Sequence, residues 1–533
     1  MEKLHGLDTS LLQFLKRRES YPHKPSEVRH IQTHISHVFM VPPYVYKIKK
    51  PVNFEFLDYS TLEKRKKLCH REVELNRRLC DGVYLKVVAI AKNDDTYQFV
   101  EEDERPESTV EYAVKMNQLD EEYFLHTYID EGTLTKEHLD RVADKLAAFY
   151  LDQEPNPKIE KWGQIENIRV NTDENFNQTK DFVGKTIDEN AYAAIKHFTN
   201  AYFEKNEELF KRRIKTRRIV DGHGDLHLEH IHITPEQVRI YDCIEFNDRF
   251  RYGDLAADLA YLAMDLDFND CWQEEHYFIN RMSAKLEDPD LLQIIDFYKC
   301  YRAYVKGKVK SMQSVEGEVE PEDREKAASL ASRYFYLSLR YAMIGSKPSV
   351  IIFMGRVGTG KSTLAEYLKE RLNVEYFSSD RIRKTLAGVP LTQRVSEEER
   401  DSLYSSEMSK RTYDTLMDRA VQSVTNGKSV ILDATFSRKE GRKKLVRALD
   451  EQDVDYCFIE IQASDETIKE RLESRQNKKV VSDARLEDFD KLNQNYTPPQ
   501  EIPEEHSLAV NSEQSIKKTI GKVYLALTDR NIN

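Results

Sequence analysis

Gly355-Arg356-Val357-Gly358-Thr359-Gly360-Lys361-Ser362 follows the apolar run Val350-Ile351-Ile352-Phe353-Met354 and leads into the amphipathic stretch Thr363–Leu372. The octet fits G-x-x-x-x-G-K-[ST] at every fixed position, with the strand before it and the helix after it that the pattern requires. Glycines let successive backbone N–H groups turn towards a polyanion, and the helix N-terminus adds the positive end of its dipole. On this reading Gly355, Gly358, Thr359, Gly360 and Thr363 cradle a nucleoside triphosphate. Lys361 reaches its β- and γ-phosphates and Ser362 holds Mg²⁺, so ATP and Mg²⁺ are the expected cofactors.

Working outward, strand patterns at 350–354, 374–378, 429–433, 456–461 and 508–510 alternate with helical ones, which predicts a parallel sheet covered by helices. Ligands of such sheets meet the carboxyl ends of the strands. Asp380, just after the second strand, is placed either to accept a proton from an acceptor hydroxyl or merely to cap the next helix. Arg383 could bind the acceptor's anionic group. Asp433 ends the third strand and could orient the Mg²⁺ shell. Arg471 and Arg475 share one helix face ahead of the basic stretch 476–480. They read either as a lid over the transferring phosphate or as a solvated charged face.

These elements resemble the small P-loop kinases that include polynucleotide 5′-kinase, zeta-toxin-like and gluconate-kinase-like enzymes. The resemblance implies that Asp380 activates the acceptor hydroxyl. It fixes the reaction type better than the substrate.

A second dense signal lies upstream, in Asp221-Gly222-His223-Gly224-Asp225-Leu226-His227-Leu228-Glu229-His230-Ile231. Asp225 could serve as a general base, with His223 fixing its geometry. His223, His227, His230 and His232 also invite a zinc reading, although H-E-x-x-H is missing. The stretch His223–His227 resembles the catalytic loop of aminoglycoside-phosphotransferase-like kinases. That resemblance makes Asp225 the catalytic base and expects an Asn, here His230, as a Mg²⁺ ligand. An imidazole suits Mg²⁺ poorly, because Mg²⁺ prefers oxygen. The next metal ligand would be Asp242, with Glu245 the alternative. On a regular strand the two would face opposite sides. Asp258 would brace the loop. The small lobe should supply a phosphate-binding lysine, Lys47 or its neighbour Lys49 on the same strand face, with Glu72 as its helix partner.

Residues 1–345 thus form a two-lobed kinase-like domain, the small lobe at about 25–110 and the helical lobe at about 111–345. Residues 346–533 form the P-loop domain. Gly345-Ser346-Lys347-Pro348 marks the break, and the acidic stretch 316–325 reads as an exposed loop.

Composition sets the outer bounds. The 533 residues hold 81 Lys plus Arg against 93 Asp plus Glu, a net charge of −12, which disfavours a broad nucleic-acid-binding surface. The mean hydropathy is −0.68. No apolar run approaches the roughly 20 residues of a membrane span, and the first residues lack a signal-peptide core. Six scattered cysteines without a CxxC predict reduced thiols and a cytoplasmic setting. The order of modules resembles bacterial bifunctional phosphotransferase/ATP-binding proteins. The expectation is transfer of the ATP γ-phosphate to a hydroxyl, of a small molecule or alternatively of a nucleic-acid 5′ end. In the alternative the N-terminal half only binds or regulates.

Overall fold

Side chains of Tyr44–Lys49 alternate between two faces, and that alternation organises the N-terminal sheet. The structure, a computed structural model, describes residues 7–94, 96–317, 319–393, 395–474, 481–482 and 485–532. Strands β1 (Arg29–Gln32), β2 (Ser36–Val41), β3 (Tyr44–Lys49), β4 (Tyr84–Asn93), β5 (Thr96–Val100) and β6 (Thr109–Asn117) pair antiparallel in the order β1-β2-β3-β6-β4-β5. Tyr46 and Ile48 pack with Leu11, Leu15, Phe39 and Ile90 on one face. On the other, helix α1 (Leu62–Asn76) lays Cys69 and Val73 over Val87, Tyr112 and Val114. Thr61 starts α1 by accepting the Lys64 backbone N–H at 3.3 Å. The strand-like stretch 36–49 is two strands, because Pro42-Pro43 cannot donate to a ladder and turns the chain between β2 and β3.

Beyond this sheet, Ile219–Asp221 pairs with Tyr252–Asp254, and Ile231–Ile233 with Val238–Ile240. Helix α2 (Leu255–Phe268) follows, its N-terminus capped by the Asp254 carboxylate, which accepts the Ala256 N–H at 2.9 Å. Residues 241–246, expected to continue a strand, join no ladder, and Asp242 sits at φ 61°.

The second sheet has strands β7 (Ser349–Met354), β8 (Glu375–Ser378), β9 (Val430–Asp433), β10 (Asp455–Gln462) and β11 (Ser507–Asn511). They pair in the order β8-β9-β7-β10-β11, and every pairing is parallel. Every residue of β7 and β9 is buried, as expected of parallel strands covered on both faces. Val350, Ile352, Leu432 and Phe458 share one apolar cluster with Leu416 and Leu445 from covering helices. Helices α3 (Lys361–Leu372), α4 (Ser379–Leu386) and α5 (Asp465–Ser474) leave the carboxyl ends of β7, β8 and β10.

Two compact units result, Met1–Asn171 with Glu207–Tyr298 and Thr172–Asn206 with Lys299–Asn533. A single cut at residue 345 does not describe them. The helix Pro321–Ile344 packs on Glu189–Lys205 and on the C-terminal helix Ile516–Ile532, within the P-loop unit. Gly345 ends that helix, but its buried Phe335, Leu339 and Tyr341 still need a core. The acidic stretch 316–325 is a loop only in part, because Pro321 occupies the first turn of the helix, with Glu322 and Asp323 beside it at the positive dipole end. Among the described residues, no helix is long and apolar enough to cross a membrane.

Candidate functional site

Strand β7 delivers the chain into the loop 355–360 at the carboxyl edge of the second sheet. Gly355, Gly358 and Gly360 take φ values of 133°, 86° and 99°, a region that penalises a side chain. At Gly355 a Cβ would also lie 2.5 Å from the carbonyl oxygen of Ile461. Lys361 folds back so that its Nζ donates to the Arg356 carbonyl at 2.9 Å, and the Thr359 hydroxyl donates to the same oxygen at 2.9 Å.

Asp433 stands one strand away, in register with Phe353 and Ser378. It accepts the Tyr376 hydroxyl at 2.9 Å and a hydrogen bond from Ser362. Two oxygen donors, Ser362 and Asp433, suit Mg²⁺ at the point where the loop amides suit phosphates. Burial pushes the Asp433 carboxyl above its usual range, although nearby Lys361 pulls it down. A carboxyl raised by folding stabilises the fold while protonated, and that contribution is lost as pH rises through its raised value. Asp433→Asn should therefore raise the melting temperature at neutral pH, and the gain should vanish as the medium is acidified through the carboxyl's titration. The same variant should lose Mg²⁺-dependent nucleotide binding. Thermal unfolding of both proteins across pH, with a nucleotide titration, checks both outcomes.

Asp380 lies in the first turn of α4, whose cap position belongs to Ser378, so it is not the helix cap. It is partly exposed, and among the described residues its carboxylate has no hydrogen-bond partner. Its charge reaches Asp433 and Tyr413. Arg383, one turn on, is 6% exposed and donates to the Leu403 carbonyl at 3.2 Å and to Ser409 Oγ at 3.1 Å. Both bonds come from Nη1, and the buried Nε has no hydrogen-bond partner among the described residues.

Arg471 is also placed differently from a lid residue. It donates to the Thr359 carbonyl at 2.8 Å and to the Ser512 carbonyl at 2.7 Å, bracing the phosphate loop from behind. Arg475 and residues 476–480 lie outside the described residues. Thr363 follows the loop on α3. Sequence reasoning missed Tyr376 and Tyr413. Tyr376 could have been found from strand alternation, since it shares a face of β8 with Ser378, the register partner of Asp433. Tyr413 bonds Thr435 at 3.1 Å across a gap in sequence that no local pattern spans.

In the N-terminal unit, Lys47 and Lys49 share a strand face as expected, and they also share Glu72. Lys47 Nζ is 2.9 Å from Glu72 Oε1, and Lys49 Nζ is 2.6 Å from Glu72 Oε2. Lys47 also reaches Asp242, and Lys49 reaches Glu245, which accepts the Tyr59 hydroxyl as well. The expectation that only one of Asp242 and Glu245 could point inward fails, because the chain between them is not a strand. The lysines differ in access: the side chain of Lys47 is 14% exposed and that of Lys49 1%. Burial pushes the Asp242 carboxyl up, but Lys47 and then His230 outweigh it and hold it well below the usual range.

Asp258 accepts the backbone N–H groups of His223 and Gly224, the latter at 2.8 Å, together with the Tyr150 hydroxyl at 3.2 Å. It therefore braces the loop that carries Asp225, which stays 31% exposed. His223 Nε2 donates to the Tyr241 carbonyl at 2.9 Å. His232 bonds the Asp120 carbonyl and packs on Phe124, so the four histidines do not converge. His223 Nδ1 accepts the Asp225 backbone N–H at 3.3 Å, while His227 and His230 stay beside the Asp225 carboxylate, with one ligand atom from each of the three residues within 4.8 Å of the others.

Residues 350–499 match the family model described as AAA domain. Over 413 residues the chain is 29% identical to "Uncharacterized protein Rv2004c" of Mycobacterium tuberculosis (strain ATCC 25618 / H37Rv), covering 77% of this chain and 79% of the relative. That match is longer than the P-loop half alone. Among solved structures, a gluconokinase from Sinorhizobium meliloti 1021 is 18% identical, with a TM-score of 0.25, over 34% of this chain and 93% of its own. Shikimate kinase from Aquifex aeolicus VF5 is 16% identical, with a TM-score of 0.24, over 33% of this chain and 95% of its own.

Proposed function

We propose that the P-loop unit transfers the γ-phosphoryl group of ATP to a hydroxyl of a small molecule. One observation carries this reading. The loop 355–362, the buried Asp433 beside Ser362, and the open carboxylate of Asp380 all stand at the carboxyl ends of three neighbouring strands. Loop amides and Lys361 would hold the phosphates, and Ser362 with Asp433 would hold the metal, which spreads the phosphate charge when bound. Asp380 would take the proton of the attacking hydroxyl, the one partly exposed carboxylate here without a fixed partner among the described residues. Catalysis of this kind is mostly positioning and charge neutralisation.

The N-terminal unit supports a second phosphotransferase reading of the aminoglycoside-phosphotransferase type. The Lys47–Glu72 pair beside Asp242, and the Asp258-braced loop holding Asp225, are the parts such a site needs. The rival reading, a 5′-hydroxyl nucleic-acid kinase whose N-terminal unit only binds, draws on His230 in place of an Asn.

Labelled ATP incubated with sugar acids, nucleosides, nucleotide sugars and 5′-hydroxyl oligonucleotides separates these readings. A small-molecule acceptor should be labelled, and Asp380→Asn should slow that labelling by about a hundredfold or more, the range of a general base. Labelling of oligonucleotides alone would favour the rival. No labelling of any acceptor, with ATP hydrolysis intact, would overturn the small-molecule kinase.

A further inference from the structure

Phe436 stands at φ 43°, in the left-handed region that penalises a bulky side chain. Its ring is 2% exposed and meets those of Tyr413 and Phe458 edge-on, with centroids 5.3 and 6.2 Å away. The apolar core thus holds a Phe at a place where the backbone suits Gly. Strain of this kind persists only where the surroundings over-determine it, and it gathers at functional sites.

Two side chains from different helices fix the turn. The Tyr413 hydroxyl, on the helix Ser406–Thr425, accepts the Phe436 N–H at 3.3 Å and bonds the Thr435 hydroxyl at 3.1 Å. The Arg442 guanidinium, fully buried on the helix Lys439–Asp450, donates to the Phe436 carbonyl at 2.7 Å and is itself held by Glu501 at 2.6 Å. What the turn carries is the Thr435 carbonyl, which accepts the Gly355 N–H at 3.4 Å. Gly355 opens the phosphate loop, and the Ile461 carbonyl closes its other side, where a Cβ would lie 2.5 Å away. The turn also starts directly after Asp433, and the Ala434 N–H ties it to the Phe353 carbonyl at 3.2 Å. One strained segment therefore joins the entry of the phosphate loop to the carboxylate one strand away. The charges of Asp380 and Arg383 act on Tyr413 as well, which places its ring beside the acceptor end of the site.

We propose that Tyr413 is a positioning residue of the P-loop site, whose hydroxyl holds the turn 434–436 in the form that sets Gly355 and Asp433 at their working separation. Tyr413 makes and breaks no bond in the reaction and acts through the backbone of 433–436. Its effect on rate rests on the phosphoryl-transfer reading of the P-loop unit, whereas its effect on the turn does not. A shift of about 1 Å near reacting groups can cost about a hundredfold in rate.

The test uses the full chain in an Asp225→Asn background. Tyr413→Phe, which removes one oxygen and keeps the ring, should lower kcat for ATP turnover at least tenfold. The loop amides and Lys361 remain, so the Kd for ADP should change less than threefold. Amide hydrogen exchange, read by mass spectrometry, should accelerate at least tenfold in peptides covering 353–356 and 433–438. The double variant Tyr413→Phe/Thr435→Val should lose no more than Tyr413→Phe alone, because the two hydroxyls serve one turn. Unchanged kcat, additive losses, an equal loss of ADP affinity, or exchange accelerated evenly over the whole P-loop unit would overturn the positioning role. Absence of wild-type turnover would defeat the phosphoryl-transfer reading instead, and exchange in the two peptides would then decide whether Tyr413 holds the turn. Should Tyr413→Phe fail to fold, Thr435→Val cuts the same hydroxyl pair from its other side and takes its place.

Discussion

Lys361→Ala should reduce ATP turnover by the P-loop unit by at least two orders of magnitude, measured in an Asp225→Asn background so that any contribution proposed for the other loop is excluded. The ammonium of Lys361 is folded onto the loop, where it donates to the carbonyl of Arg356, 2.9 Å away. That carbonyl is a weak, neutral partner, so the lysine can exchange it for a phosphate oxygen at little cost. Removal has a second consequence. Lys361 is the largest influence holding down the buried carboxyl of Asp433, and without it burial pushes that carboxyl further up. The variant should then need a higher pH for whatever nucleotide binding it retains. Loss of charge stabilisation at a developing transition state typically costs about 10²–10³ in rate. Unchanged turnover would remove the P-loop from the chemistry.

Arg213→Met should destabilise the N-terminal unit by about 3–5 kcal/mol, the cost of removing one partner from a buried ionic cluster. The guanidinium is 1% exposed and is gripped on both sides. Asp254 accepts from Nε at 2.6 Å and from Nη2 at 2.7 Å, and Asp288 accepts from Nη1 at 2.7 Å. Methionine fills the volume but leaves Asp254 buried without its cation and Asp288 with Arg218 alone, 3.6 Å away. Arg213→Lys keeps the charge but not the planar fork, and should recover only part of the loss. The damage should spread in a particular direction. Asp254 caps α2, and α2 carries the Asp258 that braces the Asp225 loop. Amide hydrogen exchange should therefore accelerate in peptides covering 219–230 and 255–268 before the P-loop unit is affected. Equal exchange in these peptides, with an unchanged denaturation midpoint, would show that the cluster contributes no net stability.

The P-loop sheet was legible because its evidence is local. Strand, glycine loop and helix follow one another within 24 residues, and each step needs only its own neighbours. The brace role of Asp258 was expected from the family resemblance, since the amides it accepts lie 34 and 35 positions upstream. The fate of the arginines was not. Arg471 bonds a carbonyl 112 positions away, and Arg383 turns into helices whose packing no periodicity describes. A guanidinium has five donors, and which acceptors come within reach is settled by the fold rather than by the residues beside it.

The amino-acid sequence by itself determined the glycine loop, the parallel character of the sheet around it and the presence of a second, histidine-rich acidic loop. Hydrophobic periodicity and glycine placement are short-range signals, and those features rest on short-range forces. Tertiary structure alone decided that the long helix before residue 345 joins the P-loop unit. It also decided that Lys47 and Lys49 divide one Glu72 carboxylate, and that Asp242 and Glu245 both turn inward. Lys47 and Asp242 stand 195 positions apart, and their charges stabilise each other only once folding has brought them together.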